Sequence, residues 1–183
     1  MSEGRNAAAG GNDMSLKMML LYSLANVGAL ALDSVFDQFS AMLYINRGVL
    51  ANPMLLGIAI LVGRTVDAFA NPAVGYWSDT SYGPRGRRIP FILKGTLPMT
   101  LLFILFFFPV TDMKGVKEWL AGSAAGFTGA LSGLMNGIFA PFGITLTGLE
   151  SVDFLYATLT CSGMLFFYTY VVAPYLSLLP DLA

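Results

Sequence analysis

The sequence predicts an all-α polytopic membrane protein with four spans. Three observations carry that reading. Hydrophobic residues make up 56% of the 183 and charged residues only 11%, whereas a soluble domain carries about 25% charged residues. Apolar, charge-poor runs recur at about 16–44, 54–77, 90–110 and 154–179. At about 1.5 Å per residue each reaches roughly 30 Å or more, the thickness of a hydrocarbon core. The dense basic cluster, Arg85, Arg87 and Arg88 with Lys94 just beyond, lies between the second and third runs and marks the cytoplasmic side.

The same composition excludes other classes. The chain has no His, and its single Cys, Cys161, sits in an apolar run, which rules out a disulfide framework or a Cys/His metal centre. A net charge of −1 supplies no electrostatic footprint for nucleic acid. No phosphate loop, HExxH or Ser-His-Asp set occurs, so neither an enzyme nor a cofactor is expected.

Residues 1–15 (Gly, Asn, Ala and a few charges) read as a disordered cytoplasmic tail, without the basic start and cleavage site of a signal peptide. The first helix carries Asn26, Asp33 and Asp37 at i, i+7 and i+11, within about 40° on a helical wheel. Such a polar stripe in an apolar span faces a bundle interior or an aqueous cavity. It is the candidate substrate-binding surface. Asp37 as a near-interface residue and Asn26 as interhelical glue are the plainer readings.

The second helix is preceded by a short connection, 46–53, with Arg47 on the outer side. Within it, Arg64, Asp67 and Asn71 fall at i, i+3 and i+7 and share one face. An acid mid-span costs about 2.5–3.5 kcal/mol on insertion scales, which makes it a functional candidate. Pro72 has no N–H to bond the carbonyl of Ala68. The Asp67 carboxylate, the Asn71 amide oxygen and the Ala68 carbonyl therefore make a candidate cation site. Hard oxygens suit Na⁺ or Li⁺, and a carboxylate alone suits a proton. The plainer alternative is that Arg64 and Asp67 only neutralise each other.

The third helix, opened by Pro90, is almost purely apolar (LLFILFFF) and reads as lipid-facing; the fourth contains Cys161, Gly163 and Pro174. Between them, 111–153 begins with Asp112, Lys114, Lys117 and Glu118, then runs uncharged from Leu120 to Leu149. Gly122/Gly126 and Gly129/Gly133/Gly137 have spacing that packs helices. A fifth span would put the Pro180 end outside, so an external, partly membrane-associated insertion is expected.

Gly75-Tyr-Trp-Ser-Asp79, followed by Gly86-Arg87-Arg88-Ile-Pro90-Phe91, resembles the loop between helices 2 and 3 of major facilitator superfamily transporters. The longer run from Arg64-Thr-Val-Asp67-Ala-Phe-Ala-Asn71-Pro72 to Gly-Arg-Arg-Ile-Pro-Phe is similar, more narrowly, to the glycoside–pentoside–hexuronide:cation symporters, the melibiose permease family. Ala173-Pro-Tyr-Leu-Ser-Leu-Leu-Pro resembles the cytoplasmic end of that family's helix 4. The resemblance implies the first third of a twelve-helix secondary transporter in an inner or plasma membrane, with both termini cytoplasmic. It implies symport of a sugar-like or other small organic solute with H⁺ or Na⁺. It assigns a coupling ion to Asp67, substrate contact to Asp33 in Gly28-Ala-Leu-Ala-Leu-Asp33, and a cytoplasmic gate to Gly75, Asp79, Gly86, Arg87 and Arg88, with Asp79 paired to Arg87 or Arg88.

Two departures qualify it. Asn71 stands where the family has a second acid, which favours H⁺ over Na⁺. Val172 stands where the sugar permease has a helix 4 aspartate, so a galactoside is not supported. Because alternating access needs two halves, the chain is expected to require the remaining helices of a transporter as partners, beside the bilayer, the solute and the coupling cation. A lipid carrier of the same superfamily, and a small tetraspan assembly protein without transport, are the alternatives.

Overall fold

Among the described residues, six α-helices and one 3₁₀ turn follow one another, with no strand. The computed structural model describes residues 16–50, 52–81, 88–109 and 113–177. The expected tail at 1–15 lies outside them, as do Gly86 and Arg87 of the basic loop. Among the described residues, four helices are long and apolar enough to cross a membrane: α1 (Leu16–Asn46), α2 (Pro53–Thr80), α3 (Ile89–Phe107) and α6 (Gly148–Leu176). The chain is an all-α, four-span membrane protein.

Local chemistry sets the helix ends. Asn52 caps α2 by accepting from the Met54 N–H at 2.9 Å, with Pro53 at the first helical position, where its missing N–H costs nothing. At the other end α2 runs to Thr80, beyond the expected stop at Trp77, because the Thr80 and Ser81 hydroxyls turn back to the carbonyls of Tyr76 and Trp77. Helix α6 begins six residues before the expected Phe154. There Thr147 and Glu150 form a reciprocal capping box, the Thr147 N–H donating to Glu150 Oε2 at 2.9 Å and the Glu150 N–H to Thr147 Oγ1 at 3.3 Å. The Thr-Gly-Leu-Glu spacing is legible in the sequence, and it overrides the polarity of Glu150 and Asp153 that suggests a later start.

Helix α6 is the hub of the bundle, with α2 and α3 both lying along it. Glycines allow the close approach. A Cβ on Gly63 of α2 would meet Cys161 Sγ at 2.7 Å, and one on Gly95 of α3 would meet Tyr170 and Val171 at 2.7 Å. Helix α3 is therefore two-sided. Leu93, Leu97 and Leu101 are exposed, as a lipid-facing helix requires, while Gly95 and Phe106 are buried.

Helix α1 lies against α2 and is tied to α3 and α6 by aromatic contacts nearer its two ends. Toward its C-terminus, Phe36 and Tyr44 pack on the Phe106 ring of α3, and the buried Tyr44 hydroxyl donates to the Phe106 carbonyl at 2.9 Å. Toward its N-terminus, Tyr22 stacks on Tyr175 of α6, centroids 4.6 Å apart, and the Tyr22 hydroxyl donates to the Tyr175 carbonyl at 3.2 Å. Between α3 and α6 lie α4 (Lys114–Gly122) and α5 (Ala125–Phe139). Fifteen residues of α5 reach about 22 Å, short of a hydrocarbon core.

Candidate functional site

The polar residues of α1 and α2 meet halfway along the bundle. Arg64 Nη2 lies 2.8 Å from Asp37 Oδ1 and 3.4 Å from Asp33 Oδ1. One guanidinium thus serves two carboxylates of the neighbouring helix, a charge-assisted arrangement suited to Arg's planar donor set. The side chains remain partly open, 37% exposed for Arg64, 28% for Asp33 and 54% for Asp37.

The plainer sequence reading paired Arg64 with Asp67 on the same helix. The structure pairs it instead with α1. A cation placed N-terminal to an acid on one helix is the less favourable order, and the acidic stripe across the interface offers two partners rather than one.

Asp67 turns toward α6, where the buried Thr169 hydroxyl donates to its Oδ1. Thr169 is the site residue that sequence reasoning missed. Its signal is slight, one small side chain within the aromatic run Phe166-Phe-Tyr-Thr169-Tyr. Asn71 donates its Nδ2 to the Asp67 carbonyl at 3.1 Å, so its amide doubles the backbone bond near Pro72. Both Asn71 and Ala68 are exposed, and the contact brought to the Asp67 carboxylate comes from α6. Asn26 is half-buried, one turn from Tyr22 and about 10 Å along the axis from Asp33. It belongs with the tyrosine clasp more than with Arg64.

At the basic-loop end, Arg88 Nη2 lies 3.2 Å from Asp79 Oδ1. Asp79 is twelve positions beyond Asp67, about 18 Å along the same rod. Gly75 is half-buried, and a Cβ there would meet nothing within 4 Å. Its neighbour Ser78 is buried and donates to the Gly75 carbonyl at 3.0 Å.

A charged cluster shared by two spans, an acid held by a third span and an acid–arginine pair at one end of α2 are now in view. Comparison with known families adds one match, to the MFS/sugar transport protein family over residues 21–183. The chain belongs to that family. It is an integral membrane protein of the major facilitator type.

The match supports the superfamily rather than the melibiose permease group in particular. Among characterised proteins, the sodium-dependent lysophosphatidylcholine symporter 1-A of Danio rerio is 33% identical over 69 residues, which cover 37% of this chain. Those residues span only 13% of that symporter's length. No solved structure matches.

Proposed function

We propose that this transporter chain carries the ion-coupling elements of a cation-coupled symporter for a small organic solute. One observation carries the reading. Arg64 on α2 is held by Asp33 and Asp37 of α1 while Asp67, three residues on, is held by Thr169 of α6. Three spans therefore converge on four ionisable groups, three acids and one base. With all of them charged the cluster has a net −2, so one arriving cation is electrostatically favoured in the low dielectric of a bundle.

Asp67 with Thr169 is the best-supported landing point. A carboxylate and a hydroxyl are hard oxygens suited to Na⁺, and the carboxylate alone suits H⁺. The relative's name, a sodium-dependent symporter, favours Na⁺. Asn71 in place of a second acid keeps H⁺ in contention, with the Asn71 and Ala68 oxygens as further candidates. Asp33 and Asp37, with Asn26 farther along the stripe, are the candidate solute contacts, linked to the cation at Asp67 through Arg64, which pairs with both of them from three residues away on α2. Asp79 and Arg88, with Gly75, Gly86 and Arg87, form the candidate cytoplasmic latch of a melibiose permease-like gate. In this reading the termini are cytoplasmic, the membrane is an inner or plasma membrane, and the remaining helices of the transporter complete the path.

A lipid-like solute is the second reading. It is favoured by the lysophosphatidylcholine in the relative's name and by an apolar cavity of about 480 Å³ lined by Val35, Phe39, Met42, Leu43, Asn46, Arg47 and Phe107.

The test is transport by the complete transporter with Asp67→Asn. Accumulation of solute against its gradient should be lost, while downhill exchange persists at a tenth or more of the unmodified rate. Thr169→Val should weaken the apparent affinity for the cation without abolishing transport. Undiminished accumulation by Asp67→Asn would make Asp67 a structural partner of Thr169 and refute the coupling role.

A further inference from the structure

The geometry points to residues 125–147 as an interfacial hairpin that rests in the headgroup layer with its tip at the hydrocarbon boundary, and whose partner is the lipid surface. Helix α3 fixes where that boundary lies. Its 19 residues reach about 28 Å, the width of the core itself, so its end at Phe107 marks the edge. The Tyr156 hydroxyl of α6 donates to the Leu105 carbonyl at 2.6 Å and the Phe108 carbonyl at 3.1 Å. This puts the second and third turns of α6 level with the same edge, and leaves its first turn outside.

Helix α5 is ruled against that scale. Near its start, Thr128 packs on Gly148, where a Cβ would come within 3.2 Å. At its end, the Phe139 ring meets Phe154 edge-on, centroids 5.5 Å apart. Gly148 and Phe154 are separated by about 9 Å of helix. Helix α5 therefore slopes inward through a layer of headgroup thickness and stops at the boundary. The chain then reverses at Gly143, whose φ of 73° suits a residue without a Cβ, and climbs back to Gly148.

The returning irregular stretch has backbone partners at Ile144, Leu146 and Thr147. Gly143 N–H donates to Ala140 and Ile144 N–H to Phe139. The Asn136 side chain accepts from Leu146 N–H at 2.6 Å and donates to its carbonyl at 3.0 Å, standing in for a neighbouring strand. Irregular backbone at an apolar boundary requires that kind of satisfaction.

The outward surface fits lipid. No charge occurs between Glu118 and Glu150, and Phe127, Leu134 and Ile138 are exposed within about 40° on the wheel. At the tip, Phe142 is 69% exposed. On the preceding α4, the exposed Trp119 lies near Lys114 and Lys117, the residue types that anchor at a headgroup interface. Water on that stripe would be an unexplained apolar patch, and a 15-residue helix whose chain turns back does not span.

Depth measurement by spin labels tests it on the full chain in phosphatidylcholine vesicles. Cysteines replace Leu134, Ile138 or Phe142 on a Cys161→Ala background, with Leu101→Cys as a mid-span reference and Lys117→Cys as a wet one. At Ile138→Cys and Phe142→Cys, collisions with oxygen should exceed those with a polar nickel complex. Both depths should be shallower than that of Leu101→Cys and deeper than that of Lys117→Cys. Dominance of nickel at all three positions would place the hairpin in water. Depths equal to that of Leu101→Cys would make it a span. Low collision with both reagents would mean that protein covers it. Any of these overturns the proposal. Phe142→Trp gives an independent reading, since its emission should be quenched by phosphatidylcholine brominated high on the acyl chain and spared by aqueous iodide; the reverse pattern refutes the placement.

Discussion

Replacing Gly63 with alanine puts a methyl group 2.7 Å from Cys161 Sγ and 2.9 Å from Leu165 Cδ1. Ordinary carbon contacts lie at about 3.5–4.0 Å, so α2 and α6 must separate by roughly 0.8 Å, or both side chains must leave their rotamers. Cys161 and Leu165 are fully buried, which leaves neither much room to move. Overpacking of this kind costs about 1–3 kcal/mol. Against it stands the helix propensity of Ala over Gly, about 1 kcal/mol in the other direction. A net loss of up to about 2 kcal/mol is expected, read as the unfolding free energy of the purified chain in detergent titrated with a denaturing detergent. Cys161→Ala removes the offending sulfur, so Gly63→Ala should cost markedly less on that background. Gly133→Ala on α5, where a Cβ would meet nothing within 4 Å, should be neutral or stabilising. If Gly63→Ala is as stable as the unmodified chain, and its effect does not depend on Cys161, the close α2–α6 crossing is wrong.

Three other outcomes are expected. Tyr44→Phe leaves the buried Phe106 carbonyl without its 2.9 Å donor and should cost about 1–2 kcal/mol in the same titration; an unchanged midpoint would place that carbonyl in contact with water. Thr147→Ala removes one side of the capping box and should cost about 1 kcal/mol, with faster amide exchange confined to the first turn of α6; protection unchanged at Glu150 and Ser151 would contradict it. Asp79→Asn breaks the pair with Arg88, but Asp79 is 61% exposed, so stability should change by less than about 1 kcal/mol. Its effect is expected instead on gating, as greater accessibility of the basic-loop side to an impermeant thiol reagent in the complete transporter. Equal labelling of variant and parent would remove the latch from the mechanism.

Much of this architecture was legible in the sequence because it is a local sum. Span number follows from runs of transfer free energy, and the acidic stripe of α1 from the 100° step of a helix. Asp79 and Arg88 were predictable partners because a short loop ties them together. The start of α6 is also encoded locally, in the Thr147–Glu150 spacing, but the polarity of Glu150 and Asp153 points the sequence reading to Phe154 instead.

Partner choice at the centre was not legible. Arg64 has Asp67 on its own helix and Asp33 and Asp37 across the interface, and periodicity ranks the near acid as readily as the far pair. Only the rotation of α2 against α1 and α6 decides between them. It turns Arg64 to the stripe and presents Asp67 to Thr169, a residue whose single hydroxyl carries almost no signal among aromatic neighbours. The position of α5 was likewise beyond local reading, because an uncharged run rich in Gly, Ser and Thr suits a span, a surface helix or a hairpin. The side-chain bridge from Asn136 to Leu146 and the Phe139–Phe154 contact each pair residues whose sequence separation no helical period connects, and the positive φ of Gly143 supports the reversal between them. The sequence thus determined which segments enter the membrane and which faces are polar, since those depend on each residue's own solvation. Tertiary structure decided which charge answers which, because that depends on how the rods are turned against one another.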